Sequence, residues 1–202
     1  MFLAYTSYAP IPNVEALKAL LPPARLARLE GDEQGALFAY ALLALVLEQQ
    51  FSLNAQDIIY TDTGCPYLPE FPVYFSLSHA KTHALCAVSY APVGCDIETH
   101  RPVSQRTIRR VLADTEQEAD FFSHWTLKES YFKLTGDLTR AFSDIRFDLT
   151  GETAARADAY AQLYYEIPNC TAAIVTRESV PRPRLRFFSP ETLFSYAAEK
   201  YT

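Results

Sequence analysis

Two short stretches of this chain hold acids and a lysine at spacings suited to phosphate chemistry. The first is "GCDIE", Gly94 to Glu98. Side chains alternate along an extended strand, so Asp96 and Glu98 face one way while Cys95 and Ile97 face the other. Two carboxylates about 7 Å apart repel each other unless a cation lies between them. A hard divalent ion such as Mg²⁺ meets that need, because it prefers oxygen ligands and keeps places for waters and substrate phosphates. A solvated strand face is the plain alternative, and for D-x-E alone it is the commoner arrangement.

The second stretch is "FSHWTLKESYFKLTG", Phe122 to Gly136. Wound as a helix at about 100° per residue, its apolar residues fall on two separate sides, which predicts burial between two layers. Glu129 and Lys133 share a face at i, i+4, whereas Lys128 points about 100° away. A surface salt bridge would be worth a few tenths of a kcal/mol. Glu129, however, lies angularly beside Phe122 and Trp125, and a half-buried carboxylate needs a partner. A third metal ligand at Glu129 and a phosphate contact at Lys133 therefore stand level with the salt-bridge reading.

A third stretch, "FSLSHAKTH", sets Ser78 and His79 side by side at a strand end. Their side chains diverge there, so they cannot form a nucleophile and base pair. His79 and His83 have the separation of a helical zinc pair, but they lie in strand and turn without the usual Glu. Local hydrogen bonding is the ordinary role of such a histidine, and donation to a phosphate is the functional one.

Strands and helices must hold these residues in place. "FLAYTSY", "DIIYTD", "VYFSLSH", "HALCAVSY" and "PVGCDIETHRP" read as strands, with a hairpin between the third and fourth. "NVEALKALLP" and "PARLARLEGDEQGALFAYALLALVLEQQF" read as helices, the second broken near Gly31. "SQRTIRRVLADTEQEADFFSHWTLKESYFKLTG" is helical, with a break and N-cap at Asp114 or Thr115. The tail alternates again in "FSDIRFDLT", "AQLYYEIPNCTAAIVTR" and "LRFFSP". This order predicts an α+β fold with a seam near residues 91–93.

Composition narrows the function. The 202 residues carry a formal net charge of −6, which argues against a general nucleic-acid binder. The run "ALFAYALLALVLEQQF" is shorter than the roughly 20 apolar residues of a membrane span and reads as a buried helix. The N-terminus lacks the basic leader of a signal peptide. Cys65, Cys86, Cys95 and Cys170 show no metal-ligand spacing and read as reduced structural thiols. A cytoplasmic protein is expected.

Taken in order, "FSLSHAKTHALCAVS", "PVGCDIETHRP" and "FFSHWTLKESYFKLTG" resemble the motifs of the 4'-phosphopantetheinyl transferase superfamily. The length resembles its longer, pseudo-dimeric (Sfp-type) group. The resemblance implies two similar α/β halves in one chain, at residues 1–92 and 93–202, acting as a monomer. It also implies transfer of the phosphopantetheine arm of coenzyme A to a serine of an apo acyl or peptidyl carrier protein. Asp96, Glu98 and Glu129 would then hold Mg²⁺ on the pyrophosphate, and Lys133 would contact the phosphates together with Lys128. Ser78 and His79 would line a pocket for the 3'-phosphate. Either Glu129 or Lys133 would accept the serine proton.

Three positions depart from the family pattern. Cys65 stands where a phosphate-binding Lys is expected, Gln34 or Gly35 where an Arg is expected, and Asp137 where a basic residue is expected. Arg25 and Arg28 would have to compensate. A degenerate relative that binds carrier or nucleotide without turnover is the rival expectation. Arg106, Arg109, Arg110 and Lys128 would steer an acidic carrier onto "TIRRVLADTEQEADFF".

Overall fold

A computed structural model of the chain describes residues 1–29, 33–62, 64–137 and 139–201. The helix break expected near Gly31 lies outside them. In chain order the elements are β1 (Phe2–Ser7), α1 (Val14–Lys18), α2 (Pro23–Leu26), α3 (Gln34–Val46), β2 (Ile59–Tyr60), β3 (Pro66–Tyr67), β4 (Tyr74–His79) and β5 (His83–Ser89). There follow β6 (Val93–Thr99), α4 (Gln105–Val111), α5 (Phe121–Thr135), β7 (Asp148–Thr150), β8 (Thr153–Arg156), β9 (Ala159–Tyr164), β10 (Cys170–Thr176), β11 (Leu185–Phe187) and α6 (Pro190–Tyr201). The fold is mixed α and β. It divides into one unit of Met1–Ala91 with Pro183–Thr202, and a second of Pro92–Arg182.

The first unit is built on a sheet of order β11-β1-β5-β4, parallel between β1 and β11 and otherwise antiparallel. The helix α3 is buried from Ala36 to Val46, as its unbroken apolar run requires, and its core includes Ala4, Ala84, Cys86 and Val88 from the strands. After Val46 the chain widens into a π turn at Leu47–Phe51 and stops at Ser52, which is left-handed at φ 56. The last segment, expected with the second half, belongs to this unit. The strand β11 pairs with β1, and Leu193 and Ala197 of α6 enter the α3 core. The α6 helix escaped the strand reading of the tail, although its start is marked: Ser189 Oγ accepts the N–H of Thr192, and Pro190 and Glu191 open the first turn.

The second unit is an antiparallel sheet of order β6-β10-β9-β8-β7 with α5 packed on it. Both apolar sides of α5 are used here. Leu127 and Tyr131 join Ala161, Leu163, Ala173 and Val175 of the sheet. Phe121, Phe122 and Trp125 join Ile108 and Val111 of α4 instead. The expected helix from Ser104 onward is split by a longer interruption than one capping residue: α4 ends at Val111, and a 3₁₀ turn at Glu118–Asp120 precedes α5.

Candidate active site

The acids of β6 and the lysine of α5 meet because helix and strand approach unusually closely. A Cβ on Gly94 would lie 1.9 Å from the carbonyl oxygen of Ser130 and 2.8 Å from the nitrogen of Leu134. Only glycine permits that backbone contact. Ser130 Oγ fastens the same turn to the sheet by donating to Ala173 O at 3.2 Å. One turn further, Lys133 Nζ donates to Cys95 O at 3.1 Å and to Asp96 Oδ1 at 2.8 Å.

Around this pair the electrostatics are those of crowded anions. Burial first, then the Asp96 charge, raises the Glu129 pKa above the usual carboxylate range, with Lys133 pulling the other way and Glu98 adding to the rise. Burial also raises Glu98, partly offset by Arg101, whose Nη1 lies 2.6 Å from Glu98 Oε2. For Lys133, burial works against the ammonium, but Asp96, Cys95 and Glu129 outweigh it and the pKa is raised. Among the described residues no three Asp, Glu, His or Cys side chains converge as a metal cage, and Lys133 supplies the counter-charge to Asp96. The donor set is nevertheless chemically that of a hard cation. It consists of oxygens alone, and a divalent ion would offset the charges that burial and repulsion disfavour.

Lys128 requires a correction. The sequence placed it among the phosphate contacts and the steering cations, but the structure buries it completely. Its ammonium donates to Val111 O at 2.7 Å and to the carboxylate of Glu116. Burial lowers its pKa, opposed by Glu116. His124 completes the cluster, with Nδ1 3.3 Å from Glu116 Oε1. Sequence reading missed Glu116 and His124; their one available signal was the i, i+4 spacing of His124 and Lys128.

The remaining candidates lie in the first unit. Ser78 is buried and His79 exposed, on opposite faces of β4. The His79 ring fills the space beside Gly35 at the start of α3: a Cβ there would meet Nδ1 at 2.6 Å and the Tyr8 hydroxyl at 3.0 Å. An arginine at that position would have to displace the His79 ring. Gln34 donates to Ala9 O at 3.1 Å. Arg25 binds Glu33, the residue that precedes α3, at 2.8 Å. Arg28 lies over the Tyr60 ring, 5.3 Å from its centroid. Arg25 thus reaches the start of α3 through Glu33, and His79 reaches it through Gly35.

Residues 92–179 match the family described as the 4'-phosphopantetheinyl transferase superfamily. The chain is 30% identical over 119 residues to 4'-phosphopantetheinyl transferase Sfp of Bacillus subtilis, covering 52% of this chain and 53% of the relative. It is 34% identical over 138 residues to 4'-phosphopantetheinyl transferase HetI of a Nostoc species, covering 57% and 58%. With 4'-phosphopantetheinyl transferase psf-1 of Bacillus pumilus the identity is 27% over 186 residues, covering 81% and 80%. The match thus spans little more than half the length of the first two relatives.

Proposed function

We propose, from the chain's kinship with the 4'-phosphopantetheinyl transferase superfamily, that this protein moves 4'-phosphopantetheine from coenzyme A to a serine of an apo acyl or peptidyl carrier protein. The observation that carries the reading is the ion pair of Lys133 with Asp96, with Glu129 near enough to feel both charges, inside the segment that matches the family. The proposal extends to the Sfp-type arrangement of two similar halves in one chain, acting as a cytoplasmic monomer.

In the reaction the serine oxygen bonds to the β-phosphorus of coenzyme A, and the bond from that phosphorus to the bridging oxygen breaks. Adenosine 3',5'-bisphosphate leaves. Asp96, Glu98 and Glu129 would hold Mg²⁺, which when bound draws charge from the diphosphate. Asp96 keeps Lys133 protonated, so its ammonium serves as a fixed cation toward phosphate oxygen and not as the base. Glu129, one turn before Lys133 on α5, accepts the serine proton. Ser78, His79, Arg25 and Arg28 bind the nucleotide phosphates. Lys128 has no part in that contact.

The test is incubation with coenzyme A, Mg²⁺ and an apo-carrier, followed by mass spectrometry of the carrier. Wild type should add the arm, and Asp96→Ala should not. No addition on any of several carriers would remove the reading.

A second reading, a relative that binds without turnover, draws on the Gly35 site closed by His79 and on the engagement of Arg25 by Glu33. Calorimetry separates the two. Mg²⁺-dependent binding of coenzyme A supports the enzyme, and carrier binding without it supports the scaffold.

A further inference from the structure

Burying a lysine completely beside a carboxylate is costly, and well-packed apolar side chains would often serve stability as well. The cluster of Lys128, Glu116 and His124 therefore calls for a role beyond cohesion. The Lys128 and His124 contacts run between two segments. From α5 come His124 and Lys128, one turn apart on one face. From the end of α4 and the connection after it come the Val111 carbonyl, the Ala113 N–H and the Glu116 carboxylate, which accepts from Ala113 at 2.8 Å as well as from Lys128. Lys128 immediately precedes Glu129, and the next face of the same helix carries Lys133 onto Asp96.

A helix lying on a sheet can still rotate about its axis and slide along it. The Gly94 contact fixes its height above β6. The Lys128–Glu116 bonds, on a different face, oppose rotation and sliding, because a buried ammonium cannot leave its acceptors without losing all of its solvation. We propose that Lys128 and Glu116 are positioning residues: they lock α5 to the connection at Val111–Glu118, so that Glu129 and Lys133 stand in register with Asp96 for the reaction. This rests on the functional reading above.

Two variants and three measurements test it. Lys128→Met with Glu116→Met replaces the pair by apolar side chains, and Glu116→Gln keeps the shape but removes the charge. Each is compared with wild type in thermal unfolding, in amide hydrogen exchange of the free protein, and in kcat and KM for coenzyme A with an apo-carrier. The expected result is a folded protein in which exchange at Leu112–Glu118 and Glu129–Lys133 speeds up about tenfold or more. With it, kcat falls about tenfold or more while KM for coenzyme A stays within about twofold.

Faster exchange with unaltered kcat would make the cluster merely structural and overturn the proposal. Lost activity with unaltered exchange, or a change confined to KM, would overturn it equally. If the double variant does not fold, Glu116→Gln decides on the same criteria; loss of fold in both also overturns it. Exchange is read without substrate. A wild type that transfers nothing would therefore remove the functional reading alone, and exchange at Glu129–Lys133 would still decide the lock.

Discussion

At the scale of single residues, Gly94 holds the site together more strictly than any charged group. Its missing Cβ is what lets Ser130 and Leu134 approach β6, and Lys133 reaches Asp96 only because they do. Gly94→Ala should cost about 3 kcal/mol of stability, since backbone cannot yield as a side chain can; urea unfolding would measure it, and transfer activity should fall with it. Two buried histidines set a pH dependence. Burial lowers the pKa of both His83 and His124. Well above the unfolded histidine pKa of about 6.5 neither state is protonated and they have no effect. As pH falls below that value the unfolded chain binds protons first, so stability is lost. Glu98 and Glu129, raised by burial, act in the opposite direction at lower pH. Comparing wild type with His83→Gln cancels those acids, and the variant should lose less stability between pH 7 and pH 5 in urea midpoints. A variant as pH-sensitive as wild type would contradict the assignment to His83.

At the scale of elements, period explains what the sequence revealed. Alternation in "FSLSH" and "GCDIE", and two-sided apolarity in the α5 stretch, are local signals, and the strands β4 and β6 and the packing of α5 between sheet and α4 followed from them. Lys128 did not follow. Its helical angle is visible in the sequence, but its burial depends on Glu116, twelve residues away in a connection with no period. The α6 helix was missed for another reason: the alternation of "LRFFSP" outweighed the capping serine, Ser189, that it contains. For docking, the burial of Lys128 leaves Arg106, Arg109 and Arg110 as the exposed cations of α4. Reversing Arg109 and Arg110 to Glu should raise KM for an acidic carrier roughly tenfold and weaken its salt dependence, with KM for coenzyme A unchanged. Steady-state kinetics at two ionic strengths would check this, and an unchanged carrier KM would place docking elsewhere.

At the scale of the whole molecule, each unit has its own sheet and its own long buried helix, yet the chain does not divide at one point. It leaves the first unit near residue 91, builds the second, and returns from Pro183. The return answers a physical need. Without β11 the strand β1 would be a bare sheet edge, and without α6 part of the α3 core would lie open. No reading of local pattern reveals such a return, because a strand's partner is set by which edge remains to be covered. Leu193, fully buried in that core, is the sharpest probe. Leu193→Ala should cost about 2–5 kcal/mol, the range for a large side chain cut back in a packed core. The loss should be confined to one unit. Under brief proteolysis, cleavage should appear in β1, α3 and β5 while β6, β9 and β10 remain protected. Equal cleavage across both units would mean that the tail's packing stabilises the chain as a single cooperative body.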